Sequence, residues 1–196
     1  MKFRLVLGSA LAALATIGCA ATPKTHVQST VPSPHGNAEA ARDTTPGFLY
    51  IYKQCKGPYT DIGPAVEEMW AYALTKGVPN PIVHVVYYDD PATVDPRVAR
   101  CDVGFECPEA AESDFSDSPY ARRDVPSLEV VSLVVKGPPT TTWECYATLS
   151  RWAGEQGFPL DAGAPVYEKY LGGPGTPDAE FPVEIRMPLA GSRQEP

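Results

Sequence analysis

Histidine is scarce in this chain. His26, His35 and His84 are its three, they are scattered, and no Cys-x-x-Cys spacing accompanies them, so no metal centre or cofactor is expected. No Ser–His or Cys–His pairing of nucleophile with base is visible, which places catalysis behind binding. Positive charge is in deficit: 16 Lys and Arg against 24 Asp and Glu leave a formal charge of −8. Nucleic-acid affinity rests on Lys and Arg contacts to phosphate, so no nucleic acid is expected as a partner and cationic ligands suit the chain better. The apolar run Leu5 to Ile17 is too short to span a bilayer comfortably.

What is present describes a globular protein. Apolar residues make up 43% and charged ones 20% of the 196 residues, which is one domain's worth of core once terminal segments are set aside, expected as a monomer. The 22 prolines and 16 glycines predict short elements and many turns. Met1-Lys-Phe-Arg4 supplies a basic start, and the run that follows makes residues 1–18 a signal peptide. Thr16-Ile17-Gly18-Cys19 resembles a bacterial lipobox, with Thr16 in place of the usual aliphatic residue; an ordinary secretory cut near Ala20-Ala21 is the alternative. The resemblance implies acylation at Cys19 and, since Ala20 carries no acidic retention signal, an outer-membrane location in the cell envelope or periplasm. Losing Lys2 and Arg4 with the leader takes the charge to −10.

With Cys19 assigned to lipid, Cys55, Cys101, Cys107 and Cys145 remain, an even number that allows three pairings in an exported protein. Cys101 and Cys107 sit on one expected strand, about 20 Å apart when extended, and should not pair with each other. Buried free thiols are the alternative for all four.

Residues 19–46 are rich in Thr, Pro, Ser and Ala without a hydrophobic period and read as a flexible tether, spanning about 28 Å. Phe48 to Cys55 alternates as a strand does and ends at Lys56-Gly57-Pro58. A helix follows, with Asp61 as N-cap, Pro64 in the first turn, and Ile62, Val66, Met69, Trp70, Ala73 and Leu74 at helical spacing until Gly77. Val83 to Tyr88, closed by Asp89-Asp90-Pro91, and Cys101 to Cys107, closed by Pro108, form a β-meander. Residues 109–126 carry five acids and no period and read as a surface crossover loop.

Leu128 to Lys136 is a strongly apolar strand, and Lys136-Gly137-Pro138 repeats Lys56-Gly57-Pro58 after 80 residues. Thr141 and Glu144 have capping-box spacing ahead of a helix carrying Cys145, Leu149 and Trp152 on one face, and Gly157 follows Gly77 by the same 80 residues. Val166-Tyr167, Tyr170 and Pro174 echo Val83-His84, Tyr87 and Pro91 at an offset of 83, and Val183 to Pro188 returns to 80 against Val103 to Pro108. These landmarks imply repeat one at 47–108 and repeat two at 127–190, with a tail at 191–196. The expected fold is α+β: tandem duplicated β-α-β-β units whose two small, antiparallel-rich sheets frame a central cleft.

Each unit has one helix to cover one sheet face, so the other face needs a partner or a ligand. In the last strand Phe181, Val183, Ile185 and Met187 alternate with Pro182, Glu184 and Arg186, which points Glu184 into the cleft. A carboxylate among aromatic rings suits an organic cation; a wet Glu184–Arg186 surface pair is the alternative. Glu106 is its counterpart in the first unit, as a second polar contact or an exposed strand carboxylate. Tyr59, after the first Gly-Pro turn, and Trp143, opening the second helix, fall where they would rim the cleft. Tyr87 and Tyr170 hold matching hairpin positions, and Tyr170 completes the candidate ligand contacts.

Gly57-Pro58-Tyr59, Tyr87-Tyr88-Asp89-Asp90-Pro91, Arg100-Cys101-Asp102-Val103, Tyr167-Glu168-Lys169-Tyr170-Leu171 and Val183-Glu184-Ile185 before Pro188 together resemble the GyrI-like family, the effector-binding domain of AraC-type regulators, over roughly residues 47–190. The resemblance implies a tandem β-α-β-β fold whose central cleft binds small amphipathic or cationic molecules, with a glutamate such as Glu184 in contact. Some members resemble hydrolases of DNA-alkylating natural products. The export signal and the lack of an upstream helix-turn-helix set this chain apart from gyrase inhibitors and transcriptional activators. A lipid-anchored envelope protein binding a cationic or amphipathic small molecule is therefore expected. The alternatives are a hydrolase using Glu184 as base and Tyr59 as proton donor, and a protein-interaction module with a closed cleft.

Overall fold

The computed structural model describes residues 27–108 and 115–192. The expected leader at 1–18, Cys19 and the start of the tether lie outside the described residues. In chain order the elements are β1 (Gln28–Ser33), β2 (Gly36–Thr45), β3 (Phe48–Lys56), α1 (Gly63–Thr75), β4 (Val83–Tyr87), β5 (Arg100–Cys107), β6 (Ala121–Val125), β7 (Leu128–Lys136), α2 (Tyr146–Glu155), β8 (Val166–Tyr170) and β9 (Pro182–Pro188). The strands form one antiparallel sheet in the order β1-β2-β7-β9-β8-β4-β5-β3-β6. The expectation of two small sheets is thus corrected. Strands β4 and β8 pair directly, Val83 opposite Tyr170, Val85 opposite Glu168 and Tyr87 opposite Val166, because two unpaired edges satisfy their backbone groups by joining.

Both helices cover one face. Met69 and Ala73 of α1 and Leu149, Trp152 and Ala153 of α2 share a core with Ile51, Val85, Val103, Phe105, Leu133, Val183 and Ile185. The strand alternation read from the sequence produces this face directly. A smaller cluster of Tyr50, Val86 and Val125 lies on the other face, where the Tyr50 ring crosses β5 at Gly104. A Cβ there would fall on the Ile51 carbonyl oxygen and within 2.8 Å of the Tyr50 ring.

Three further expectations are corrected. The tether is structured from Gln28 onward: β1 and β2 form a hairpin whose second strand pairs with β7, burying Ala38 and Ala40. Its buried face is built of alanines, too small to register as a hydrophobic period. The crossover loop contains β6, which pairs with β3, and Phe115, fully buried against Phe105 and Tyr72. Neither helix has a side-chain cap. Asp61 ends a short 3-10 turn (Tyr59–Asp61) and Pro64 lies in the first turn of α1, while Thr141, in the 3-10 stretch Pro139–Cys145, donates back to the carbonyl of Pro138 just before it.

Candidate functional site

At the centre of the β4–β8 seam, on the helix-covered face, lies Glu168, which is 1% exposed. Its position follows from strand parity. Tyr170, Glu168 and Val166 face one way and Tyr167 and Lys169 the other, and the register with β4 sets Tyr87 and Val85 beside the first group. Three hydroxyls converge on the carboxylate. Thr142, in the 3-10 stretch before α2, donates to Oε1 at 2.7 Å, Tyr146 at the start of α2 donates to Oε1 at 2.7 Å, and Tyr87 donates to Oε2 at 3.3 Å. The Tyr170 hydroxyl lies 3.5 Å from that of Tyr87. Tyr59 packs edge-on against Tyr87, ring centroids 4.7 Å apart, and shares its proton between the carbonyls of Asp89 and Arg100, each at 2.9 Å.

Burial pushes the Glu168 carboxyl up to about 7, with the hydroxyls of Thr142, Tyr146, Tyr87 and Tyr170 pulling the other way. The same burial, with the carboxylate's own charge, raises the phenols of Tyr87, Tyr146 and Tyr170, and Tyr59 is pushed up to about 12, chiefly by burial. These phenols stay protonated and act as donors. Glu168 is therefore a carboxyl group divided between acid and carboxylate near neutral pH, held in a ring of neutral hydroxyls. Other acids of the sheet have cations beside them: Asp102 has Arg123 at 2.7 Å, Glu184 has Arg186 at 2.8 Å, and Glu106 has Lys169 at 3.4 Å. Among the described residues no Lys, Arg or His lies within ion-pair distance of Glu168.

The residues singled out from the sequence divide between the two faces. Tyr170 and Tyr59 belong to the Glu168 cluster. Trp143 follows Thr142 in the same stretch but is 55% exposed. Glu184 and Glu106 are on the opposite face from Tyr170, because Glu184 stands opposite Lys169. The expected cleft that joined Glu184 to these tyrosines is thus split by the sheet itself. Arg186 grips Glu184 through two hydrogen bonds of 2.8 and 2.9 Å. Glu106 Oε1 lies 2.9 Å from Nε2 of the buried His84. Burial works to raise Glu106, but His84 and Lys169 outweigh it and hold the group at about 2. A depression on this second face, bordered by Phe48, His84, Val125, Tyr167 and Arg186, has room for about one water.

Sequence reasoning passed over Glu168, Thr142 and Tyr146 and took Tyr87 only as the hairpin counterpart of Tyr170. The available signal was parity: Tyr170 was a candidate contact, and two residues back along the same strand is Glu168.

Residues 43–190 match the family model of the GyrI-like small molecule binding domain. Among curated proteins none matches this chain. Among the solved structures that share its fold are the following three. An uncharacterised conserved protein from Listeria innocua is 15% identical, with 77% of this chain and 92% of that one covered at a TM-score of 0.58. A hydrolase from Listeria innocua is 13% identical, with 77% and 91% covered at 0.52. The EcmrR C-terminal domain is 18% identical, with 78% and 97% covered at 0.55. These likenesses establish the fold, an antiparallel sheet with two helices on one face. With the family match spanning the sheet from the end of β2 to just past β9, the chain belongs to the GyrI-like family of small-molecule-binding domains.

Proposed function

We propose that the protein binds a small organic cation or cationic amphipath at the Glu168 cluster, where two β-α-β-β halves, β3-α1-β4-β5 and β7-α2-β8-β9, meet along β4 and β8. The observation that carries this reading is the buried carboxylate of Glu168, surrounded by hydroxyls and aromatic rings and lacking a protein cation within ion-pair distance. A cationic ligand supplies the missing charge. The rings of Tyr59, Tyr87, Tyr146 and Tyr170 offer faces to which a desolvated cation is attracted, and low local polarity strengthens its pairing with the carboxylate. Tyr59 and Tyr146, both half-buried, form the outward side of the cluster. The matched glycines that end α1 and α2, Gly77 at φ 77° and Gly157 at φ 74°, support the reading of two equivalent halves. The sequence of residues 1–19 supports export and anchoring through Cys19; Cys19→Ser is expected to move the protein from the membrane fraction to the soluble one.

The test is a thermal-shift screen of lipophilic cations and their neutral isosteres, run beside Glu168→Gln with each protein compared with its own ligand-free melting temperature. A cation at a hundred times its Kd stabilises by about 2.7 kcal/mol, a shift of roughly 5–10 °C. The expected result is a shift with cations only, lost in the Gln variant. Equal shifts in both proteins, or shifts with the neutral isosteres alone, refute the assignment. Turnover of a hit to its hydrolysis product that disappears in Glu168→Gln would make the protein a hydrolase with Glu168 as its acid–base group.

A further inference from the structure

The four described cysteines are separate thiols, Cys55 half-buried and the other three buried. Two of them are neighbours. Cys55 in β3 stands directly opposite Cys101 in β5, with their sulfurs in hydrogen-bonding reach. Two residues along the same ladder, Gly57 N–H donates to the Ala99 carbonyl at 2.9 Å. The alternation of antiparallel pairing therefore makes Cys55–Cys101 a hydrogen-bonded pair, whose Cα atoms lie about 5.5 Å apart. That separation is within the range a disulfide bridges. Cys107 and Cys145 have no comparable position: Cys107 stands opposite Leu49, and Cys145 lies before α2.

We propose that Cys55 and Cys101 form a reversible cross-strand disulfide by exchange with low-molecular-weight disulfides. Cys55 is the attacking group, being the more accessible sulfur. The neighbouring Cys101 thiol, followed by Lys53, holds Cys55 at about 7, burial opposing, while the same hydrogen bond and burial push Cys101 up. The Cys55 thiolate attacks one sulfur of RSSR, that S–S bond breaks, and RS⁻ leaves. The Cys101 thiol then gives up its proton and attacks the Cys55 sulfur of the mixed disulfide, expelling the second RS⁻. The two protein sulfurs are oxidised, the two sulfurs of the small disulfide are reduced, and the protons lost by the protein match those taken up by two RSH. Cys101 stands opposite Tyr87 in the β4–β5 ladder, so the bond would form one strand away from the Glu168 cluster.

The experiment treats the folded full chain with oxidised glutathione and maps the products by peptide mass under non-reducing conditions. The expected product is a Cys55–Cys101 cross-link reversed by dithiothreitol. In Cys101→Ser the reaction is expected to stop at a glutathione adduct on Cys55, and in Cys55→Ser Cys101 stays a thiol. In Cys101→Ala, whose Cys55 has lost its hydrogen-bonding neighbour, the rate of adduct formation is expected to rise several tens-fold between about pH 6 and 8. Iodoacetamide labelling of Cys55 in the parent protein is expected to rise only roughly tenfold over the same range, since its thiolate is already half-formed near 7. The proposal is overturned if Cys55 and Cys101 stay reduced in the folded chain while the urea-unfolded chain reacts, or if the bond joins either one to Cys107 or Cys145.

Discussion

Glu168 carries a cost that the other acids of the sheet avoid. It ionises near 4.5 when unfolded and at about 7 when folded. Between those values the unfolded chain has released its proton and the folded chain has kept it, so stability falls as pH rises. The loss is on the order of 3 kcal/mol once both values are passed, and none of it is felt below the lower one. His84, lowered from its usual range by burial, gives the opposite slope in an overlapping window, and Glu106 acts only in stronger acid. The informative quantity is therefore the difference between the parent and Glu168→Gln. In urea melts the variant is expected to match the parent near pH 4 and exceed it at about pH 8, where the parent has lost its on-the-order-of 3 kcal/mol. Equal stability of the two proteins at both pH values would show that the carboxyl is not held neutral by burial. The sequence already contained this residue inside Tyr167-Glu168-Lys169-Tyr170. What it did not contain was the register with β4 that decides which face is covered, so Glu184, whose apolar neighbours made its parity legible, drew the attention instead.

Elements were legible where large side chains set the period. The strands around Ile51, Val85, Val103, Leu133 and Ile185 were read within a residue or so at each end, and the two Lys-Gly-Pro turns close β3 and β7 as expected. The β1–β2 hairpin was not legible, because its buried positions are Ala38 and Ala40 and its partner is β7, some ninety residues later. Its anchors are long-range as well. Trp152 Nε1 donates to the Ser29 hydroxyl at 2.6 Å, Arg42 pairs with Glu129 at 3.2 Å, and the Arg42 guanidinium lies 5.2 Å from the centre of the Phe158 ring. The His35 ring fills the space that a side chain at Gly137 would occupy. A chain shortened to begin at residue 46 exposes the edge of β7 and the Trp152 face of α2. It is expected to lose about 2 kcal/mol or more, lowering the melting temperature by about 4–8 °C. An unchanged melting temperature would return the hairpin to the role of a tether.

At the scale of the whole molecule, the described residues form one shared sheet, so the two halves have no separate sheets there into which they could unfold. The β4–β8 ladder makes nine strands continuous, and it has Glu168 and its hydroxyl ring at its middle. Opening the seam would strand five paired residues on each strand and expose Tyr87 and Tyr170, which are 8% and 5% exposed. The halves are locked outside the sheet too, since Trp70 of α1 lies over Gly173 in the loop after β8, where an added Cβ would meet the indole at 3.3 Å. A unit whose core is shared across its middle unfolds in one step, as small single domains do. Variants retaining only Trp70 on α1 or only Trp152 on α2 place one reporter in each half. The expected outcome is that both report, in urea, a transition coincident with the loss of β-sheet circular dichroism in the same protein. Within either variant, emission and circular dichroism falling at separate midpoints would mean that one half survives the other, and the seam that holds Glu168 would then be a docking interface between two foldable units.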